Sequence, residues 1–506
     1  MLLGIDISTT AAKALLIDHN GVVITSATME YPSSSPKPLW SEQNPIDWWK
    51  ACCTAIQRAM QKGECSAADI DAVGLTGQMH GLVLLDEGGD VLRPAILWND
   101  QRTGRQCKLI EERAGGFDNL IRFTGNAVLP GFTAPKILWV RENEPDVYRE
   151  IKHIVLPKDY IRYRLTGAFV TDVSDASGTA LFDVSHRKFS GELCELLEIP
   201  SAWLPECVES AEVSAYISEE GARQTGLPPG IPVVGGAGDQ AAQAIGCGIV
   251  RPGVISVTTG TSGVVFAYVE NYTADIKGRL HMFCHAVPDA WHAMGVMLSA
   301  GGSFQWFRNT LGTEEIELAK QNNTDPYDIL GSKAVSINAG ADGLLFLPYL
   351  TGERTPHPDP YARGGFIGLT NRHTKAHLIR AVLEGITFGL RDSLELIKDL
   401  GVPIEQIRIS GGGTRSSLWR QIQADIFGQD VAVVSVPEGA AFGAALLAGV
   451  GSRVYTSVEE AVQRTVHITD TIVPDEAAHL QYEKLYPIYQ KLYSSNKNIF
   501  RQLYEL

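Results

Sequence analysis

Gly4-Ile5-Asp6-Ile7-Ser8-Thr9-Thr10 opens the chain, and Ser256-Val257-Thr258-Thr259-Gly260-Thr261-Ser262-Gly263 repeats its plan about half a chain later. In both, an apolar strand runs into a turn of hydroxyl residues or glycine, and a second strand follows. Turns of this kind can wrap an anion's oxygens in backbone amides. Between them lies Val233-Val234-Gly235-Gly236-Ala237-Gly238-Asp239-Gln240-Ala241-Ala242, which sets one carboxylate on a glycine-rich turn between a short apolar strand and a small-residue helix. Asp239 therefore has two readings, the N-cap of the helix over 240–245 and a base for a hydroxyl proton, and both can hold at once.

Working outward, residues 2–7, 14–18 and 22–28 read as strands, with Asn20-Gly21 as the hairpin turn. Asn44-Pro45 starts a helix whose buried stripe is Trp49, Cys52, Cys53, Ile56 and Met60. Residues 70–75 return as a strand that ends in Gly77-Gln78-Met79-His80-Gly81, which puts Met79 and His80 at a strand end, where binding side chains often sit. Residues 101–222 alternate helical and polar segments and contain Pro157-Lys158-Asp159-Tyr160 and Ser174-Asp175-Ala176-Ser177-Gly178. Arg251-Pro252-Gly253 punctuates the chain, and the division is placed between 1–247 and 248–506. The second half follows the first in outline: a hairpin, a long amphipathic helix over 374–400, then strand-loop-helix units near Gly411 and Glu438.

At 506 residues the chain exceeds one comfortable core, so two domains are expected. Apolar residues make up 44% and charged residues 20%, as in ordinary globular proteins. The net charge of -15 and the lack of basic stripes argue against nucleic-acid and membrane partners. An anionic substrate then needs backbone amides and a metal. Eight cysteines without a C-x-x-C, and no secretory leader, read as reduced thiols in a cytoplasmic protein. The apolar run 440–450 is too short to span a bilayer and reads as a packed helix.

The chemistry-bearing residues group into two sets. Asp6 ends a buried strand before Ser8-Thr9-Thr10, where it can orient Mg²⁺ through water while Lys13 adds a point charge; a plain hairpin that begins with an acidic residue is the alternative. Gly411-Gly412-Gly413 follows the strand over 407–410 and allows close approach of a flat nucleoside, or is a flexible connector. No glycine-lysine dipeptide and no G-x-G-x-x-G occur, which disfavours P-loop and dinucleotide folds. Trp98-Asn99-Asp100 can complete a polar pocket beside His80, or Trp98 is core. A metal reading of His281-Met282-Phe283-Cys284-His285 matches no zinc spacing, and His373 and His377 read as solvated.

Over essentially the whole chain these residues resemble the FGGY family of carbohydrate kinases. Gly131-Phe132-Thr133-Ala134-Pro135-Lys136-Ile137-Leu138-Trp139-Val140 is similar to that family's first signature, and residues 364–385, ending Arg380-Ala381-Val382-Leu383-Glu384-Gly385, are similar to its second. Gly77-Gln78-Met79-His80-Gly81, Leu97-Trp98-Asn99-Asp100 and Leu156-Pro157-Lys158-Asp159-Tyr160 resemble the subgroup acting on D-xylulose. Glycerol kinases carry an Arg-Glu pair where this chain has Met79-His80.

The resemblance implies an α/β protein of two ribonuclease-H-like domains, the actin-like ATPase and sugar kinase fold, with an interdomain cleft. It implies ATP-dependent phosphorylation of D-xylulose with ATP and Mg²⁺. Asp239 is then the base. Met79, His80, Trp98, Asn99 and Asp239 meet the sugar, and Thr9, Thr10, Lys13, Gly260, Thr261, Gly412 and Gly413 lie by the nucleotide. Asp6 and Asp239 face Mg²⁺ through water. The implied partners are the sugar and ATP, with a homodimer as the one further assembly admitted. The alternatives are a kinase for ribulose or another ketose or polyol, a non-catalytic sugar- or nucleotide-binding regulator, and an actin-like ATPase. Ser8 departs from the glycine usual in the first phosphate loop, where its side chain either crowds a phosphate or adds a hydroxyl donor.

Overall fold

The computed structural model describes residues 1–435 and 439–506, and the chain forms two compact units. The first gathers Met1–Arg251, Tyr268–His292 and Glu438–Val466, and the second gathers Pro252–Ala267, Ala293–Pro437 and His467–Leu506. The units do not follow a single division near residue 247, because the chain leaves the first at Arg251 and returns to it twice. The strand-loop-helix unit expected near Glu438 falls partly on residues 436–438, outside the described residues.

The first unit is built on a sheet of β1 (Leu2–Ile7), β2 (Ala11–Ile17), β3 (Val23–Glu30), β4 (Ala72–Gly77), β5 (Val213–Tyr216), β6 (Pro232–Val234) and β7 (Ala237–Gly238). Its order is β5-β6-β4-β1-β2-β3, with β7 also against β4. β1, β2 and β3 pair antiparallel, while β4 runs parallel to β1, β6 and β7. The Asn20-Gly21 turn forms as its residues require: Gly21 sits at φ 81°, and the Asp18 carboxylate accepts the Asn20 and Val22 amides at 2.8 Å each. Positive φ is inexpensive only without a Cβ.

The two faces of this sheet are covered differently. On one, Leu3, Ile5 and Ile7 meet the helix Pro45–Lys62 through Trp48, Cys52 and Ile56. Asn44 caps that helix by accepting the Ile46 amide at 3.1 Å. The buried line runs Trp48, Cys52, Ala55 and Ala59, and Cys53 and Met60 are only half-buried. Trp49 and Ile56 are buried as well, so three of the five residues of the expected stripe face the core.

On the other face, Gly4 and Gly74 stand opposite each other in β1 and β4. A Cβ on Gly4 would lie 1.9 Å from the Ala441 carbonyl oxygen, and one on Gly74 would lie 1.8 Å from that of Ala444. The helix Gly439–Gly451 therefore rests its backbone directly on the strands, and Ala441 to Gly449 are buried there. This is the packed helix expected of the run 440–450. Among the described residues, no helix is long and apolar enough to cross a membrane.

The second unit repeats the motif. β8 (Gly253–Thr259) and β9 (Gly263–Val269) form an antiparallel hairpin, and β10 (Ile404–Ser410) lies parallel beside β8 as β4 does beside β1. β11 (Val431–Val434) and β12 (Ile468–Ile472) extend the order to β9-β8-β10-β11-β12. The long helix runs Lys375–Asp399, with Thr374 as its N-cap. His377, expected in solvent, closes the capping box, its Nδ1 accepting the Thr374 amide at 3.1 Å.

The Gly74 contact is with backbone, which cannot swing aside as a flexible side chain would. Gly74→Ala is expected to lower stability by about 1–3 kcal/mol through overpacking, measured by urea unfolding. Gly365→Ala, where a Cβ meets nothing within 4 Å, is the control and should stay within about 1 kcal/mol.

Candidate active site

The Asp239 turn lies at the carboxyl ends of three neighbouring parallel strands. Asp6 in β1 stands opposite Thr76 in β4, and Thr76 stands opposite Ala237 in β7, two residues before Asp239. Ligands of open α/β sheets bind beyond such ends. The turn needs its glycines: Gly236 has φ 69°, and a Cβ there would lie 2.1 Å from the Leu75 carbonyl oxygen. Gly238, not Asp239, is the N-cap, and Asp239 is the first residue of the helix Asp239–Gly246, which has no side-chain cap. The capping reading of Asp239 therefore fails. Its half-buried carboxyl is pushed up to about 6 by burial, against hydrogen bonds from Gln240 that pull it down.

Beside this turn the chain leaves β4 and delivers Met79 and His80. Met79 is buried, and its sulfur would lie 2.9 Å from a Cβ placed on Gly238. His80 sits at φ 67°, a conformation few non-glycine residues adopt. Its carbonyl oxygen accepts from Lys136 Nζ at 2.8 Å and Thr133 Oγ1 at 3.1 Å. Lys136 is fully enclosed, and burial pulls its ammonium down to about 7. The His80 ring stacks on Phe132, with centroids 4.6 Å apart. Its Nδ1 lies 2.7 Å from the Gly178 carbonyl oxygen, which selects the Nδ1–H tautomer and makes Nε2 an acceptor for a hydroxyl. Thus Met79, His80 and Asp239 share one neighbourhood in the first unit.

Trp98 and Asn99 are placed differently. The Trp98 indole donates to Thr9 Oγ1 at 3.0 Å, so its polar edge serves the first hydroxyl-rich turn. Asn99 is exposed and lines an open surface depression with Gln101 and residues 35–41. The Ser8 hydroxyl closes the turn on itself, donating to the Ala11 carbonyl at 2.9 Å and accepting the Ala11 amide at 3.2 Å. Thr9 and Thr10 follow it, half-buried and exposed, while Lys13 faces Asp6 across the hairpin. Gln43, which the sequence reading missed, donates to the Thr9 carbonyl at 2.6 Å and accepts from Trp48 and Gln78. Its one sequence signal is an amide immediately before the Asn44-Pro45 helix start.

In the second unit Gly260, Thr261, Gly412 and Gly413 line a single cavity of about 610 Å³. Gly411, at φ 87°, lets the β10 loop pass against β8, since a Cβ there would lie 2.6 Å from the Thr259 carbonyl oxygen. Phe304, Tyr327 and Trp419 supply aromatic walls, with Phe304 5.1 Å from Tyr327 and 5.9 Å from Trp419 between centroids. Asp325, Asp328 and Arg415 add polar groups. Such a cavity takes a flat aromatic body with a polar rim. Its aromatic walls went unread because they lie on segments far apart in the sequence.

Residues 1–246 match the N-terminal domain of the FGGY family of carbohydrate kinases, and residues 255–452 match its C-terminal domain. The chain belongs to the FGGY family of carbohydrate kinases. It is 39% identical to a xylulose kinase of Bacillus subtilis (strain 168) over 98% of this chain and 97% of the relative. Against a xylulose kinase of Escherichia coli (strain K12) the identity is 38% over the full length of both. The crystal structure of a xyloylose kinase from Brucella ovis superposes with a TM-score of 0.91 at 37% identity, covering 98% and 99% of the two chains. As a member of this family the FGGY chain is a phosphotransferase, and its two units carry the actin-like, ribonuclease-H-like fold of sugar kinases.

The indole bond to Thr9 is testable without a ligand. Trp98→Phe removes one hydrogen bond worth about 1 kcal/mol. Amide exchange at residues 8–10 should accelerate by about fivefold, read by hydrogen-deuterium exchange with mass spectrometry.

Proposed function

We propose that this chain transfers the γ-phosphoryl group of ATP to the terminal hydroxyl of D-xylulose, giving D-xylulose 5-phosphate and ADP. The observation that carries the reading is the Asp239 carboxylate, held on a rigid turn at the strand ends beside Met79 and His80. Full-length similarity to relatives named xylulose kinases supports the choice of sugar. Asp239 orients the hydroxyl and takes its proton late, because the phosphoryl transition state is loose and asks mainly for positioning and charge neutralisation. His80 Nε2 accepts a hydrogen bond from a sugar hydroxyl, and the Met79 side chain packs against the carbon skeleton.

ATP's adenosine occupies the aromatic cavity beside Gly412 and Gly413, whose wall also carries Gly260 and Thr261 of the second hydroxyl-rich turn for its phosphates. The residues present fit Mg²⁺. Among the described residues no cluster of three or more His, Cys, Asp or Glu could hold a metal. A pair of carboxylates, Asp6 and Asp239, suits a cation that keeps most of its waters and takes its other ligands from phosphate. When bound, Mg²⁺ neutralises the charge of the transferring phosphate. The eight cysteines are all free thiols, in keeping with the reducing cytoplasm.

Three outcomes test this. Asp239→Ala should reduce sugar-dependent ADP release by about 10²–10⁴-fold while the sugar KM shifts little; near-normal turnover sinks the role of Asp239. The base must be ionised, and its carboxyl lies near 6. Activity should therefore be full above that pH and fall tenfold per unit below it, in a kcat/KM profile. His80→Ala should raise the KM for D-xylulose by about fivefold, one hydrogen bond's worth, with ribulose and other polyols as comparison substrates. ATP turnover that needs no sugar would point instead to an ATPase.

A further inference from the structure

Two segments remain without a role: Pro157 to Tyr160, and Asp172 to Gly178. The structure joins them in a fully buried ion cluster. Lys158 Nζ lies 2.5 Å from Asp159, 2.9 Å from Asp172 and 3.5 Å from Asp175, with every partner's side chain 0% exposed. Arg162, equally buried, adds a second cation 3.7 Å from Asp159. Burying five ionisable groups is costly, and burial pushes the Asp175 carboxyl well above the usual carboxylate range; such clusters seldom add net stability over apolar packing. Their better-attested value is in fixing a geometry, so what this cluster holds is informative.

It holds the Asp239 turn. Arg162 donates to the Val234 carbonyl at 2.6 Å and to the Gly235 carbonyl, the residues that enter the turn. Asp172 Oδ2 accepts from the Ser174 amide at 2.8 Å, the Ser174 hydroxyl at 2.6 Å and the Ser210 hydroxyl at 2.9 Å. Because Ser174 directs its single proton to Asp172, its oxygen lone pairs face the other way. There the oxygen accepts the Gly238 amide at 3.1 Å, the residue immediately before Asp239. The Gly235 and Gly236 amides go to backbone carbonyls of Glu212 and Ser210, at 2.8 Å each. Ser174 is thus the side chain that holds the turn where it meets the helix. Four residues on, the Gly178 carbonyl accepts from His80, so one short segment touches both the Asp239 turn and the sugar-side histidine.

We infer that Ser174, oriented by Asp172 and Lys158, is a positioning residue that aims the Asp239 carboxylate at the reacting hydroxyl. The inference rests on Asp239 being the base. A hydroxyl oriented by a buried carboxylate makes a stiffer anchor than a free rotor would, and misplacement of a reacting group by about 1 Å costs on the order of 10²-fold in rate.

The test uses the full chain in the coupled ADP-release assay, with Ser174→Ala, Ser174→Thr, Asp172→Asn and Asp239→Ala side by side. Ser174→Ala should lower kcat by about 10–100-fold and leave the sugar KM within about twofold. Ser174→Thr, which keeps the hydroxyl, should recover most of that loss. A Ser174→Ala enzyme that is folded by circular dichroism and keeps its kcat overturns the inference, as does a loss confined to KM or one that Ser174→Thr does not recover. Should Ser174→Ala not fold, Asp172→Asn is judged by the same split: a fall in kcat alone supports the role, and an unchanged kcat removes it. Activity retained by Asp239→Ala would defeat the base reading itself. An inert Asp239→Ala beside a normal Ser174→Ala defeats only the positioning role.

Discussion

The contact on which the first unit depends is one of backbone against backbone. Gly4 and Gly74, side by side in parallel strands, leave no Cβ between the sheet and the helix Gly439–Gly451. The helix that touches them belongs to a segment more than 350 residues away in the chain, so the sheet is complete only when that segment returns. Close packing of this kind tolerates little displacement, because interiors are as dense as organic crystals. The same register that aligns the two glycines places Asp6, Gly77 and Gly238 at one end of the sheet. Packing and site are therefore consequences of one alignment.

At that end, electrostatics divides the acidic groups by environment. Burial raises the Asp239 carboxyl to about 6, against hydrogen bonds from Gln240 that pull it down. A few residues away in space, burial drives the Lys158 ammonium down but its three carboxylates more than reverse the effect, and it stays charged. A carboxylate near pH 6 is matched to proton transfer at physiological pH. Lys158 suits the opposite task, which is to stay charged and hold its neighbours in place.

Much of this was legible in residue order. The Asn20-Gly21 hairpin, the Asn44 cap and the long helix after Thr374 follow from local chemistry that involves only a few neighbours, and local chemistry is what a sequence displays. The glycines flanking Asp239 likewise announced a turn. What local rules misjudged was the capping role: an Asp at a helix start reads as an N-cap, yet pairing of Ala237 and Gly238 with β4 extends the strand and passes that position to Gly238. The Trp98 indole, expected beside a sugar pocket, donates to Thr9, a residue 89 positions earlier in the chain. The roles of Gln43, Lys136 and Ser174 lie in bonds to backbone atoms of distant segments, which no local pattern displays.

By itself the sequence determined the class of fold, the paired hairpins with their hydroxyl-rich turns, the carboxylate on its glycine turn and the kinase family, because each depends on short-range patterns of residue type. Only the tertiary structure decided that Gly260, Thr261, Gly412 and Gly413 share one aromatic-walled cavity, that Met79 lies against the Asp239 turn, and that a buried ion cluster holds that turn. Those relations arise from strand register and side-chain burial between segments far apart in the chain, and no local pattern encodes which distant backbone atom a buried side chain will meet.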